Sequence, residues 1–291
     1  MLRLGYSRLI LIPALLGLLL PAACSTRIAL PSVTPDAGRL SYPGKFVWFD
    51  LHTTDMYRVA QFYDAVFGWS VERADPGSPR IKTILRSGRR IGSIFLLDDK
   101  DRTAPGWVPN LAVSDADAAF AGALAAGASP LYAPGDRPYR GRMAGIRDPQ
   151  GARLVLLASS SGDPRDGPPE DGTFMGAELW TPDVTGAEAF YVGLAGYRAV
   201  EIGSGGAPYV MLLSDERPRG GITAPPAPVK TPLWVPQVAV RDVMGVLERV
   251  RAAGGTVLLC PVPGDKTHQT AVFLDPAGGV MGVRAFAPVR N

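Results

Sequence analysis

Asp50 and His52 stand two residues apart in the run from Phe46 to Thr53, and Trp48 precedes them at the same spacing. Side chains alternate along an extended strand, so a strand here puts an indole, a carboxylate and an imidazole on one face. Much later in the chain, Glu178 and Trp180 show the same alternation. Two carboxylates and an imidazole brought together would move protons or grip a divalent cation. Two indoles would line a site for a planar molecule. The plainer alternative leaves the charged trio on a solvated or interface face, with Asp50 paired to an arginine, and gives the aromatics to ordinary packing.

The elements that must position these residues are written twice. Asp55, Phe62, Tyr63 and Gly68 recur as Asp183, Phe190, Tyr191 and Gly196 at a constant offset of 128. Trp107, Val113, Asp115, Gly127 and the Asp148-Pro149 pair recur at an offset of 127 as Trp234, Val240, Asp242, Gly254 and Asp275-Pro276. A period this long marks two copies of a module, since solenoid repeats run to roughly 20–50 residues. Within the first copy, the spacing predicts a strand over 46–53 whose residues Val47, Phe49, Leu51 and Thr53 face a helix. Asp55 is placed to cap that helix, Val59, Phe62, Tyr63, Val66 and Phe67 follow at helical spacing, and Gly68 stops it. Strands are expected over 81–85 and 91–97, and again over 107–113 ahead of a second helix from Asp115 to Ala126. Three strands near 129–132, 144–147 and 153–157 complete the copy, the last two joined by a tight turn at Asp148-Pro149-Gln150-Gly151. The unit is βαβββ, and the chain carries four.

This order of signposts resembles the vicinal oxygen chelate superfamily, which includes glyoxalases, bleomycin-resistance proteins and extradiol dioxygenases. The carriers are Asp55 and Asp183 after their strands, the Phe-Tyr pairs, the Gly-Trp and Gly-Tyr that follow, and the two Asp-Pro-x-Gly turns. The resemblance implies an α+β fold of tandem glyoxalase-like copies, each of two βαβββ units, with curved mixed sheets backed by helices. It also implies a divalent metal held in the cup of each sheet. At the positions where the resemblance places metal ligands, however, this chain has Trp48, Val108, Gly176, Val235, Val155 and Gly282, none of which coordinates a hard or borderline cation. No cofactor is therefore expected, and a divalent metal only at a non-standard site built from Asp50, His52 and Glu178. Trp48 and Trp180 are the expected ligand contacts inside the cups, with Arg142 (beside Arg140) and His268 on loops at their rims. The partner implied is a small organic molecule, and the oligomeric state stays open. An enzyme using Asp50, His52 and Glu178, and an envelope structural module with filled cups, remain as alternatives.

The ends and the composition bound the setting. Arg3 and Arg8 precede an apolar stretch from Leu9 to Leu20, and Ala22-Ala23 then lead to Cys24, which reads as an export signal with Cys24 as a lipid attachment point. The expected division is a signal over 1–23, a flexible tether over 24–43, a first glyoxalase-like domain over 44–160, a linker over 161–171 and a second domain over 172–291. Cleavage leaves 28 basic against 27 acidic residues and no basic cluster, so a nucleic-acid partner is not expected. Cys260, the other cysteine, follows an apolar run and is expected to pack as a small hydrophobe. With two histidines and no Gly-x-Ser-x-Gly elbow, phosphate loop or dinucleotide fingerprint, a serine-hydrolase or nucleotide-binding reading has nothing to work with.

Overall fold

The computed structural model describes residues 29–286 apart from 36–37, 76–77, 99, 102, 204–207, 227–230 and 263–268. The strand–helix–three-strand unit occurs four times. The first half runs β1 (Phe46–Thr53), α1 (Met56–Phe67), β2 (Ser70–Asp75), β3 (Ser78–Arg86) and β4 (Arg89–Leu96). It continues through β5 (Gly106–Ala112), α2 (Ala116–Ala125), β6 (Ser129–Arg137), β7 (Gly141–Arg147) and β8 (Arg153–Ser159). The second half repeats this as β9 (Thr173–Trp180), α3 (Val184–Ala195), β10 (Arg198–Ile202), β11 (Tyr209–Ser214) and β12 (Arg217–Thr223). Then come β13 (Leu233–Val240), α4 (Val243–Ala252), β14 (Thr256–Leu259), β15 (Thr270–Leu274) and β16 (Val280–Ala285). Strand β2 escapes the sequence reading because Glu72, Arg73 and Asp75 leave it without an apolar face.

Each half closes into one eight-stranded mixed sheet, ordered β2-β3-β4-β1-β5-β8-β7-β6 and β10-β11-β12-β9-β13-β16-β15-β14. At each centre the opening strands of two units run antiparallel, β1 with β5 and β9 with β13. Each of those lies parallel to the last strand of its own unit, a pairing that requires the intervening crossover helix. The helices start where the aspartates dictate. Asp55, Asp115, Asp183 and Asp242 each accept a backbone N–H of the first turn, and Gly68 and Gly196 end α1 and α3 in the left-handed region.

One core serves both sheets. Phe49, Phe62 and Trp107 of the first half share it with Phe190, Trp234 and Phe273 of the second. Phe46 packs against Trp234 with ring centroids 4.8 Å apart, and Phe49 stacks on Phe174 at 4.1 Å. The repeated signposts turn out to be a reciprocal brace between the halves. Trp107 Nε1 donates to Tyr63 Oη (3.0 Å), whose hydroxyl donates to Asp275 Oδ2 (2.9 Å) in the other half. Trp234 Nε1 donates to Tyr191 Oη (2.8 Å), which donates to Asp148 Oδ2 (2.8 Å).

The inner and outer faces of β1 do not alternate as cleanly as the sequence suggests. A register irregularity between Phe46 and Trp48 turns Phe46 into the shared core and Val47 out beside Trp48. Cys260, expected to be buried, lies just past β14 and is exposed.

Candidate functional site

Away from the helices, each sheet presents a second face, and the sequence candidates divide between the two. On the first, Trp48 is buried and donates Nε1–H to Ser93 Oγ at 3.0 Å. The Arg140 guanidinium lies over its ring, 4.2 Å from the centroid. Arg140 is fully buried, and burial brings its pKa down to about 10. Asp50 accepts from Asn110 Nδ2 at 2.8 Å on the neighbouring strand. Four buried polar atoms on this face have no partner: Asp50 Oδ1, Asn110 Oδ1, Arg140 Nη1 and His52 Nδ1.

The chain itself covers this face. Leu30 and Val33, at 5 and 3 % exposure, join Trp48, Val108, Met143 and Val155 in one apolar cluster. The Leu30 amide donates to Pro138 O, Arg140 Nε donates to Pro31 O at 2.7 Å, and Thr34 donates its backbone N–H to Ser161 Oγ and its hydroxyl to Ser161 O. The segment expected to hang free as a tether is therefore docked over 29–34. The expectation of an open, ligand-lining Trp48 is corrected by the same contacts.

On the second sheet, Glu178 and Trp180 share the helix-free face. Glu178 is ion-paired to Arg284 Nη2 and accepts from Tyr209 Oη at 3.3 Å. Burial pushes the Tyr209 phenol up to about 12, and the Glu178 charge adds to the rise. Trp180 packs with Val235 and Val272, and its Nε1 is buried with no acceptor. Farther along the same face, where Gln237 pairs with Gly176 and Trp180 with Leu233, both amide heteroatoms of Gln237 are buried without partners, in a side chain that is 4 % exposed. The local cause is legible. Gln237 stands opposite Gly282, and its amide occupies the space a Cβ of Gly282 would fill. The matching pair in the first sheet is Asn110 opposite Val155, a shorter amide against a longer neighbour. Among the described residues, the second cluster is made of strand and strand-end residues of this half, with no counterpart of Leu30 and Val33.

The union of Asp50, His52 and Glu178, kept open as an alternative, does not form. The two carboxylates lie on the outer faces of two sheets whose inner faces meet in one core, and they share no partner. Among the described residues, no group of three His, Cys, Asp or Glu is placed to hold a metal ion. Nor do the positions implied for metal ligands fit one: Trp48, Val108 and Val155 form an apolar wall, Val235 packs with Trp180, and Gly282 lies under Gln237. Arg142, expected at a rim, borders a surface recess of about 380 Å³ with Tyr139 and Ser160. Its guanidinium is held by ion pairs to Asp117 and Asp136 instead of standing free. Its neighbour Arg140 is the one that enters the face. His268 and Cys24 lie outside the described residues. Asn110, Gln237, Tyr209 and Arg284 were not anticipated. The signal for the first two was present: Trp-Val-Pro-Asn from Trp107 and Trp-Val-Pro-Gln from Trp234 repeat a lone amide inside an apolar strand.

His52 is the group whose protonation reports on its face. Burial lowers its pKa to about 4, against the pull of Asp50 and with some help from Arg153. A histidine kept neutral in the fold takes up its proton more readily when unfolded, so stability falls as pH drops from 6.5 toward 4. The loss reaches up to about 3 kcal/mol. In urea unfolding at pH 7 and pH 4.5, His52→Asn is expected to flatten that slope. An unchanged slope would show His52 to be solvated.

Comparison with known proteins places this geometry. Residues 47–157 match the glyoxalase-like domain family. The chain is 29% identical over 247 residues to "Putative glyoxylase CFP32" of Mycobacterium bovis, covering 83% of this chain and 94% of that protein. It is 27% identical over 256 residues to the anthracycline biosynthesis protein DauV of Streptomyces sp. strain C5, covering 83% and 93%. Among solved structures, the Mn(II)-bound glyoxalase from Novosphingobium aromaticivorans superposes with a TM-score of 0.59 at 19% identity, over 84% of this chain and 83% of that one. The 2,3-dioxygenase LapB from Pseudomonas sp. KL28 superposes with a TM-score of 0.58 at 15% identity, over 87% and 96%.

Proposed function

We propose that this protein, a glyoxalase-like chain with the tandem fold of the vicinal oxygen chelate superfamily, binds a small planar organic molecule without a metal ion. The site we assign is the helix-free face of the second sheet. One observation carries the reading: Gln237 offers a buried donor and a buried acceptor, and Trp180 a buried donor, all unmatched by protein. Each such atom costs about 1–3 kcal/mol while unsatisfied, so a molecule supplying the complementary groups binds with that much relief. Trp180, Val235 and Val272 supply the apolar wall, and the Glu178–Arg284 pair with Tyr209 supplies a polar edge. Such a wall with a few fixed polar groups is the usual make-up of a small-molecule site. The donor set at the family's metal positions argues against a metal-dependent reaction, and the separation of Asp50 from Glu178 argues against an acid–base trio. Export with lipid on Cys24 belongs to the same proposal and rests on the arginines, the apolar run and the small residues before that cysteine.

Native mass spectrometry and elemental analysis of the purified protein test the reading together. The expected result is an organic adduct without stoichiometric metal. Gln237→Leu sheds the adduct and, by removing two unmatched polar atoms, raises the stability of the empty protein by about 1–2 kcal/mol. A stoichiometric transition metal surviving dialysis would end the reading, as would a Gln237→Leu protein that keeps its adduct.

A further inference from the structure

The helix-free face of the first sheet raises a separate question, because what covers it fits it only partly. Leu30 and Val33 fill the apolar part of that face well. The polar part is served by a single carbonyl, Pro31 O, which takes one bond from Arg140 Nε. Beneath it, Arg140 Nη1, Asp50 Oδ1, Asn110 Oδ1 and His52 Nδ1 stay buried and unmatched. The covering segment belongs to no strand of the sheet, and proline at 31 and 35 restricts it to an extended course. Its other ties include bonds from the Leu30 amide to Pro138 O, from Thr34 to Ser161, and from the exposed Arg90 to Ser32 Oγ. An apolar pair flanking one carbonyl oxygen, over a buried guanidinium stacked on an indole, is the outline of a small ligand supplied by the chain itself.

We propose that residues 29–34 are a displaceable internal occupant of the first face. An aromatic or alicyclic molecule bearing a carboxylate, sulfonate or carbonyl oxygen competes with them for Arg140 and Trp48. The competitor replaces Pro31 O at Arg140 and reaches the unmatched atoms that the segment does not. This site is independent of the one assigned on the second sheet, and its test is chosen to keep the two apart.

Two measurements on the full chain decide it. In native-state hydrogen exchange, the Leu30 and Thr34 amides are expected to exchange at least about 100-fold faster than the Leu156 amide of β8, through local opening with both sheets intact. Exchange of all three at the rate of global unfolding would show the segment to be ordinary core and would overturn the proposal. In the second measurement, the probe is anilinonaphthalene sulfonate, an aromatic anion. Leu30→Gly/Val33→Gly is expected to raise its affinity about tenfold over the unaltered chain. The free peptide Ala-Leu-Pro-Ser-Val-Thr-Pro should reverse the gain, and adding Arg140→Gln should remove it. Gln237→Leu should leave it in place, which separates this face from the other. The proposal falls if the double variant melts cooperatively yet binds no more dye. It falls equally if that variant has lost cooperative melting, since an occupant can leave without unfolding its site.

Discussion

Asp275→Ala is expected to lower the unfolding free energy by about 3–5 kcal/mol and the melting temperature by about 10 °C, although Asp275 belongs to neither candidate site. Its Oδ2 accepts the Tyr63 hydroxyl from the other half, while its Oδ1 accepts the backbone N–H groups of Ala277 and Gly279. Alanine removes all three bonds and strands the Tyr63 hydroxyl in a fully buried place, where it accepts from Trp107 and has nothing to donate to. Asparagine should recover only part of the loss. If its oxygen serves the turn, its amide nitrogen meets a tyrosine oxygen that already accepts from Trp107, and one donor is left over. Tyr63→Phe should cost about 2–3 kcal/mol and couple to Asp275→Ala in a double-mutant cycle. Urea unfolding followed by tryptophan fluorescence and far-ultraviolet circular dichroism measures all of these. A loss below about 1 kcal/mol for Asp275→Ala would mean that the brace is incidental to cohesion of the halves.

That brace shows what the sequence carried and where it stopped. The Phe-Tyr pair, the tryptophan and the Asp-Pro turn repeat at fixed offsets, and the helical spacing that groups Tyr63 with Val59, Phe62, Val66 and Phe67 matches a face that the structure buries in the core. Periodicity is a property of neighbours along the chain, so it is silent about a bond between Tyr63 and a residue 212 positions later. The αβ order and the aspartate caps were legible because each depends on a few adjacent residues. The candidate site was legible only as far as alternation holds. Asp50 with His52, and Glu178 with Trp180, do share their faces, but the sequence has no term for which faces two sheets turn toward each other. Segment 29–34 was hidden for a different reason. Leu30 and Val33 sit among prolines and small polar residues without a period, which is the composition of a loose connector. The apolar face beneath them, with the bonds to Arg140 and Ser161, is what seats the segment.

The Glu178–Arg284 pair borders the assigned site. Glu178 has a side chain 10% exposed and Arg284 one 37% exposed, so the carboxylate is the deeper partner and bears more of the cost when the pair is broken. Arg284→Leu should therefore destabilise the protein by about 3–5 kcal/mol, because a buried carboxylate is left with only the Tyr209 hydroxyl. Adding Glu178→Gln should recover most of the loss, since a neutral amide keeps the contact with Tyr209 and needs no counter-charge. If the pair serves only stability, the rescued double variant also regains whatever the native protein binds. If Arg284 and Glu178 orient a polar group of the bound molecule, stability returns without binding. The expected outcome is the second, because the unmatched atoms of Gln237 and Trp180 lie on the same face as the pair and a molecule completing them meets it. Urea unfolding and native mass spectrometry on the two variants separate the cases. Recovery of binding along with stability would reduce the charged pair to a structural support.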